Sequence, residues 1–458
     1  MINVYKKTVV ADGLTPVSAY AALRNQDGGG SFLLESVIGG DRWARYSILG
    51  YRPKKRIVLQ GRPDVDPFTE LARLAPGGSE DFADPADRFA TAHVGMLAYD
   101  MVHFTTKVPK WPEAEQGPIA RLLGDCTVVV FDHLKKTMTI ASTEAKDVEI
   151  AERHLRGATL PELMTPPDPA AQPDDVLLTQ TDEEYSAAVE RCREYIRAGD
   201  AFQIVPGRTF SVPTLGADPF LVYRFLRVLS PAPYMYFLDL PAEEGAPALA
   251  IAGASPETLV RVENGHVYLR PIAGTRRRGR TPEEDDAFAA EMMADPKEIA
   301  EHVMLIDLAR NDIGRIAEQG TVSVPHRMFV ERYSHVMHIT SDVQGKVRAG
   351  VGPWDVIRAT FPAGTLSGAP KVRAMQIIRE LEGRPRGLYG GAIGYVTRGS
   401  DLDLAIGIRT VVKRGDRFEV TAGAGIVADS DPRLECLETR NKARAALSAV
   451  EAARQAHR

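Results

Sequence analysis

The chain has 458 residues, with 56 lysines and arginines against 61 aspartates and glutamates, a net charge of −5. With 44% hydrophobic and 26% charged residues it has the balance of a folded globular protein, which argues against a disordered chain and against a strongly basic binder of nucleic acid or anionic membrane. The longest apolar stretches, such as ALAIAGA at 248–254, fall far short of the roughly 18 residues a membrane helix needs, and MINVYKKTVV lacks the apolar core of a secretory signal. Three scattered cysteines (Cys126, Cys192, Cys436) exclude a disulfide framework and a clustered-cysteine zinc site, and point to a reducing cytoplasm.

In chain order, short β-rich runs come first. TVVVFDH at 127–133 and TMTIAST at 137–143, separated by LKK, read as a hairpin. Five prolines in residues 157–178 (Pro161, Pro166, Pro167, Pro169, Pro173) mark an extended linker. EEYSAAVERCREYIRAG at 183–199 is an amphipathic helix that stops at Gly199. ALAIAGA and HVYLRPI read as strands. A long helical pattern over 286–317 is interrupted near Pro296, and YGGAIGYVT and DLAIGIRTVV are further strands. The last helix starts at Pro432, in the favoured first-turn position. The expected organisation is an N-terminal α/β domain (1–156), a linker (157–178) and a larger α+β domain (179–458).

Several residues suggest chemistry, each weakly by itself. Glu435 and Glu438, and likewise Asp295 and Glu298, stand three apart on helices and so project from one face, where they could hold a hard cation or merely be solvated. Gly423 and Gly425 in AGAGIV, and the stretch FPAGTLSGAPKVRAM at 361–375, could seat an anion, but neither is a nucleotide-binding phosphate loop. Arg276, Arg277, Arg278 and Arg280 precede an acidic run and read as a local charge network rather than a nucleic-acid patch. Arg409 in the apolar run AIGIRTVV needs a partner, for which a bidentate carboxylate is the natural choice. His335 and His338 form an H-x-x-H that is weak evidence for zinc. No cysteine sits in a nucleophile turn, so hydrolysis of glutamine by this chain is not expected.

The order of motifs is far more specific. GDAFQIVP (199–206), PYMYF (233–237), ASPETL (254–259), PIAGTRRRG (271–279) and DPKEIAEHVMLIDLARND (295–312) are followed by YSHVMHITSDVQG (333–345), GLYGGAIGYV (387–396), LAIGIRT, AGAGIV and ETRNKARAAL (438–447). This series resembles the chorismate-utilising enzymes, and within them the anthranilate synthase component I branch, over nearly the whole chain. The resemblance implies that family's α+β fold, a layered α/β sandwich of antiparallel sheets.

It further implies Mg2+ held by Glu298 and Glu438 with Glu435 nearby, and chorismate gripped by Tyr389, Arg409, Gly423, Ala424, Gly425 and Lys442. Gly274, Thr275 and Thr365 would place the ring. Glu257 would be the general acid for the departing C4 hydroxyl, and His335 would serve pyruvate elimination. Gln203 stands where water-adding relatives carry a basic lysine. Ala273 stands where aminodeoxychorismate synthase component I has its nucleophilic lysine, which favours anthranilate over the aminodeoxychorismate alternative. Gly207 replaces a more usual serine. A catalytically silent tryptophan-sensing subunit is the third reading. SFLLESVIGG is similar to the family's feedback segment, so Leu34, Glu35, Ser36, Pro233, Tyr234, Met235, Gly394 and Tyr395 would form a tryptophan pocket. A separate glutamine amidotransferase subunit, joined in a heterotetramer, would supply the ammonia.

Overall fold

The structure is a computed structural model that describes residues 2–36, 45–62, 64–77, 82, 84–112, 117–159, 161–162, 164–333 and 336–457. Two antiparallel sheets face one another, with helices packed on both outer surfaces. One sheet runs, in spatial order, Tyr5–Val10, Thr137–Ser142, Thr127–Asp132, Tyr46–Tyr51, Ser31–Glu35, Tyr234–Leu240, Leu249–Ser255, Thr410–Arg414, Arg417–Gly423, Gly207–Pro213 and Leu177–Leu178. The other runs Ile272–Arg277, Val336–Lys346, His266–Leu269, Thr258–Glu263, Leu402–Ile406, Ala392–Val396, His93–Leu97, Pro118–Gly124 and Lys55–Gln60, with Ser323–Arg332 paired to Val336–Lys346. Phe32, Leu238 and Ile251 from the first sheet meet Val94, Met96 and Ile393 from the second in the buried layer between them. This is the α+β sandwich expected.

Both sheets take strands from either side of the proline linker. Ser31–Glu35 pairs with Tyr234–Leu240 in one, and His93–Leu97 with Ala392–Val396 in the other. The segments 1–156 and 179–458 therefore share their sheets instead of each building its own.

Local sequence explains the main helices. Thr181 and Glu184 form a reciprocal capping box ahead of Asp182–Arg197. The long helical pattern is two helices, Pro282–Ala294 and Pro296–Gly314. Asp295 ends the first and caps the second, accepting from the Lys297 amide at 2.9 Å, while Pro296 fills the first helical position. Asp431 likewise accepts from the amides of Arg433 and Leu434 at the start of Pro432–His457.

The run DLAIGIRTVV is not one strand. It divides into Leu402–Ile406 and Thr410–Arg414, which belong to different sheets. The chain crosses between the layers at Gly407–Arg409, and Arg409 takes a left-handed φ of 52° at the corner. An apolar run buried on both sides of a crossing has the same composition as one long buried strand, so period alone cannot separate them. Among the described residues no helix is long and apolar enough to cross a membrane.

Candidate active site and a second cavity

A cavity of about 720 Å³ opens where the two sheets, the helix Pro296–Gly314 and the first turns of Pro432–His457 meet. Gln203, Glu257, Ala273, Gly274, Thr275, Glu298, Thr365, Tyr389, Arg409, Gly423, Gly425, Glu435, Glu438 and Lys442 all line it. Residues up to 239 positions apart in sequence are thus brought to one pocket.

Charges of both signs line it. Four are carboxylates: Glu298 and Glu301 from one helix, Glu435 and Glu438 from the other. Glu301 completes the set, three residues after Glu298, so the cavity pair on that helix is Glu298–Glu301 and not Asp295–Glu298. Asp295 is occupied as the helix cap and by Arg276 at 3.4 Å. The same i,i+3 spacing that singled out Asp295 applies in the other direction, but the capping role of an aspartate before Pro296 decides between them. Burial pushes the Glu301 and Glu435 carboxyls above their ordinary values, and repulsion from Glu438 adds to both. Gln203 donates to Glu301 at 3.2 Å. Glu298 meets Arg276 at 2.9 Å and Glu438 meets Lys442 at 2.6 Å. Among the described residues no three such groups are drawn together into a ready ligand cluster.

Arg409, half-buried, also lines the cavity, and burial lowers its guanidinium's affinity for the proton. Its hydrogen bond is to the Lys442 carbonyl at 3.0 Å, not to the carboxylate expected for a buried arginine. Among the described residues no ion pair involves it. Tyr389 lies beside it. Lys442 also donates to the Gly423 carbonyl at 3.0 Å. Arg409 and Lys442 thus bring two cations to the cavity, Lys442 already paired with Glu438.

Glu257 lines the same cavity. Burial pushes its carboxyl up to about 7, against the opposing pull of a 2.8 Å hydrogen bond from Thr365 and the field of Lys442. A carboxylic acid that stays protonated near neutrality suits general-acid work.

One expectation changes. Ala424 is fully buried and its N–H points away from the cavity, to the Pro206 carbonyl at 3.3 Å and the Tyr185 hydroxyl at 3.2 Å, so it cannot grip a ligand there. His335 lies outside the described residues. The imidazole that does line the cavity is His338, which meets the Gly274 carbonyl at 2.9 Å and Thr275 Oγ1 at 3.1 Å. The alternation of the strand Val336–Lys346 carries the signal that could have found it: Met337 and Ile339 are buried in the core, so His338 faces the other way. Gly207, where a serine is more usual, lies under Tyr389; a Cβ there would approach the ring to 2.8 Å.

The arginines of GTRRRGR form the expected local network, with Arg276 on Glu291, Arg277 on Glu284 and Arg278 on Asp285. All three cysteines are buried, and burial raises the thiols of Cys126 and Cys192 far from reactivity.

A second cavity of about 490 Å³ is lined by Leu34, Glu35, Ser36, Pro233, Tyr234, Met235, Gly394 and Tyr395, together with Arg45, Phe89, Arg261 and Asp403. It lies at the seam where the N-terminal strands join the C-terminal ones in both sheets. Glu35 accepts from Tyr223 at 2.6 Å and pairs with Arg227 at 3.0 Å. Tyr234 bridges Asp403 at 2.9 Å and Thr258 Oγ1 at 2.8 Å, one residue from Glu257.

The chorismate-binding enzyme model matches residues 32–448. This chain belongs to that family. Among its relatives, anthranilate synthase component 1 of Acetivibrio thermocellus is 42% identical over 476 residues, 97% of this chain and 94% of that protein. The protein of the same name from Acinetobacter calcoaceticus is 42% identical over 477 residues, covering 98% and 95%. The crystal structure of anthranilate synthase component I from Streptococcus pneumoniae has a TM-score of 0.77 at 35% identity, covering 96% of this chain and 99% of that one. The menaquinone-specific isochorismate synthase of Escherichia coli, at 17% identity and a TM-score of 0.74, shares the fold. Within the chorismate-binding family the chain thus stands with the component I synthases, and the 720 Å³ cavity holds the residues by which that membership was legible.

Proposed function

We propose that this chain is a component I synthase that converts chorismate and ammonia to anthranilate and pyruvate, the first committed chemistry of tryptophan formation. The observation that carries it is one cavity that gathers four carboxylates, the cations Arg409 and Lys442, and the protonatable Glu257. Chorismate is a dianion with two separated carboxylates. Arg409, assisted by Lys442 and the floor at Gly423 and Gly425, takes the enolpyruvyl carboxylate. Gly274, Thr275 and Thr365 border the ring. Ammonia approaches C2 beside Gln203, whose neutral amide leaves the amine unprotonated. Glu257 gives its proton to the C4 hydroxyl, which leaves as water. Loss of the C2 proton and of pyruvate then aromatises the ring, and His338 is the imidazole within the cavity for that step. Ala273 lines the same cavity and offers no nucleophile, which favours attack of ammonia itself at C2 over a covalent route to a 4-amino product.

The four glutamates suit a hard divalent cation such as Mg2+. Oxygen donors are the right chemistry, and burial together with the neighbouring carboxylates holds the Glu301 and Glu435 carboxyls above their ordinary values. Glu298, Glu301, Glu435 and Glu438 would hold it, and when bound it supplies charge stabilisation and a template at the ring carboxylate. With all three thiols buried, ammonia has to come from elsewhere, and a glutamine amidotransferase subunit is the fitting source. The second cavity suits tryptophan as feedback inhibitor: Glu35 for the ammonium, and Tyr234, Met235 and Phe89 for the indole.

The test is direct. The purified chain with chorismate, Mg2+ and an ammonium salt should generate anthranilate fluorescence and an equal amount of pyruvate, and added tryptophan should suppress both. A non-aromatised 4-amino product would overturn the reaction in favour of the aminodeoxychorismate alternative, and no amine at all would leave a silent sensor.

A further inference from the structure

Among the described residues Arg208 is the largest side chain buried to under 2% exposure, and it lines neither cavity. It sits on the strand Gly207–Pro213, between the amino-terminal turn of Asp182–Arg197 and the first turns of Pro432–His457. A guanidinium so placed must have its donors met. Nε donates to Thr439 Oγ1 at 3.0 Å and Nη2 to the Cys436 carbonyl at 3.2 Å. Nη1 donates to Asp182 at 2.7 Å and to the Gln180 carbonyl at 3.3 Å. The plane lies over Tyr185 and Phe210, at 4.9 and 5.4 Å from their ring centres. Arg440 holds Asp182 from the same helix at 2.9 Å.

The two acceptors on the C-terminal helix each follow a cavity glutamate by one residue: Cys436 after Glu435, and Thr439 after Glu438. One residue is about 100° around a helix axis. A clamp on 436 and 439 therefore fixes the direction in which 435 and 438 point. Among the described residues neither glutamate is tied to another helix or strand by a hydrogen bond or ion pair of its own. Glu438 pairs with Lys442 of its own helix, and Glu435 interacts with Ser430 just before that helix. The rotation of the helix is what aims them.

We propose that Arg208 is a positioning residue for the cavity, a buried fork that sets the rotation of the first turns of Pro432–His457 so that Glu435 and Glu438 face Glu298 and Glu301. This rests on the reading of those four glutamates as a divalent-cation site. Arg208 touches no reacting atom; it acts through the Cys436 carbonyl and the Thr439 hydroxyl.

The test uses the full chain and Mn2+ as probe, with free Mn2+ followed by electron paramagnetic resonance and folding by circular dichroism. Thr439→Val keeps the side-chain shape and removes the acceptor for Nε, and Arg208→Lys keeps the charge and removes the fork. Each should weaken Mn2+ binding by about tenfold, the lower end of the effect of partners that orient metal ligands. Thr439→Ser, which keeps the oxygen, should bind as the parent does, and Thr439→Val should keep the parent's circular dichroism spectrum at the assay temperature although the unmet Nε lowers its thermal transition. Parent-like Mn2+ affinity in Thr439→Val overturns the proposal while leaving the cation site standing. An equal loss in Thr439→Ser also overturns it, because packing and not the hydrogen bond would then be responsible. If Glu438→Gln and the parent bind Mn2+ alike, the cation-site reading itself falls, and this inference falls with it.

Discussion

Removing the Thr365 hydroxyl tests the assignment of Glu257 as the acid. The carboxyl stands at about 7 because burial raises it further than the Thr365 hydrogen bond and Lys442 lower it. Thr365 donates at 2.8 Å, and a donor of this kind stabilises the ionised form. Thr365→Val removes that donor, so the proton is held more tightly and the value rises. A hydrogen bond to a charged group is worth about 1.5–3 kcal/mol, and one pH unit corresponds to about 1.36 kcal/mol. The change should therefore be about one to two pH units upward. Glu257 works in its protonated form, so kcat/KM falls as pH rises through about 7 in the parent, and this alkaline limb should move to higher pH in Thr365→Val. The assay is initial-rate anthranilate fluorescence across pH, with free ammonia held constant so that its own titration does not enter. Because kcat/KM reports the free enzyme, the unliganded environment is the relevant one. Thr365 also borders the ring, so KM will change; the position of the limb is independent of that change. A limb that stays put or moves down would remove Glu257 from the role.

The same environment predicts a trade between function and stability. Since the folded carboxyl lies above its ordinary 4.5, the native state binds this proton more tightly than the unfolded chain, and stability is lost as pH rises from about 4.5 through about 7. Glu257→Gln should abolish the limb and lower turnover by about 10²–10⁴-fold, yet melt higher than the parent at pH 8 and no higher at pH 4, a difference worth at most about 3 kcal/mol. Equal melting shifts at both pH values would refute the origin of the raised value. Glu301→Gln should raise the Mg2+ concentration needed for half-maximal rate by about tenfold or more, by analogy with the loss of any one group orienting or ligating a metal; an unchanged Mg2+ requirement would remove Glu301 from the site. Glu35→Ala should weaken tryptophan binding, followed by calorimetry, by about 1.5–3 kcal/mol if the carboxylate meets the ligand's ammonium; parent-like affinity would place the ligand elsewhere.

Much of the cavity was legible because its residues occur in motifs whose order survives folding. Glu257 in SPE, Glu438 in ETR and the glycines of AGAGIV needed no geometry to be singled out. What escaped required knowledge of direction. Ala424 lies between two cavity glycines, yet its N–H turns inward because Tyr185 and Pro206 compete for it from the core. Glu301 was hidden by Asp295, which has the same spacing from Glu298 but is consumed as a helix cap. Arg409 lines the cavity from a corner between sheets with φ of 52°, although the apolar run around it reads as a single strand. The mixing of segments across both sheets was invisible too, since strand order depends on contacts over hundreds of residues and a proline linker says only where the chain is extended.

The corner at Arg409 also bears on how the two cavities are related. Leu402–Ile406 carries Asp403 in the second cavity and leads within three residues to Arg409 in the first. Its partner strand, Thr258–Glu263, carries Arg261 in the second cavity and starts one residue after Glu257. Arg409 and Glu257 therefore lie just beyond the same end of two paired strands whose middles wall the other pocket, and Tyr234 bonds to both strands at once, through Thr258 and Asp403. A ligand that prefers a different spacing of these strands has a short route to both residues, because close-packed strands shift together rather than deform locally. Such a ligand inhibits only to the extent that it binds the altered spacing more tightly than the one seen here, which makes the seam between the N-terminal and C-terminal strands the place where that preference would be expressed.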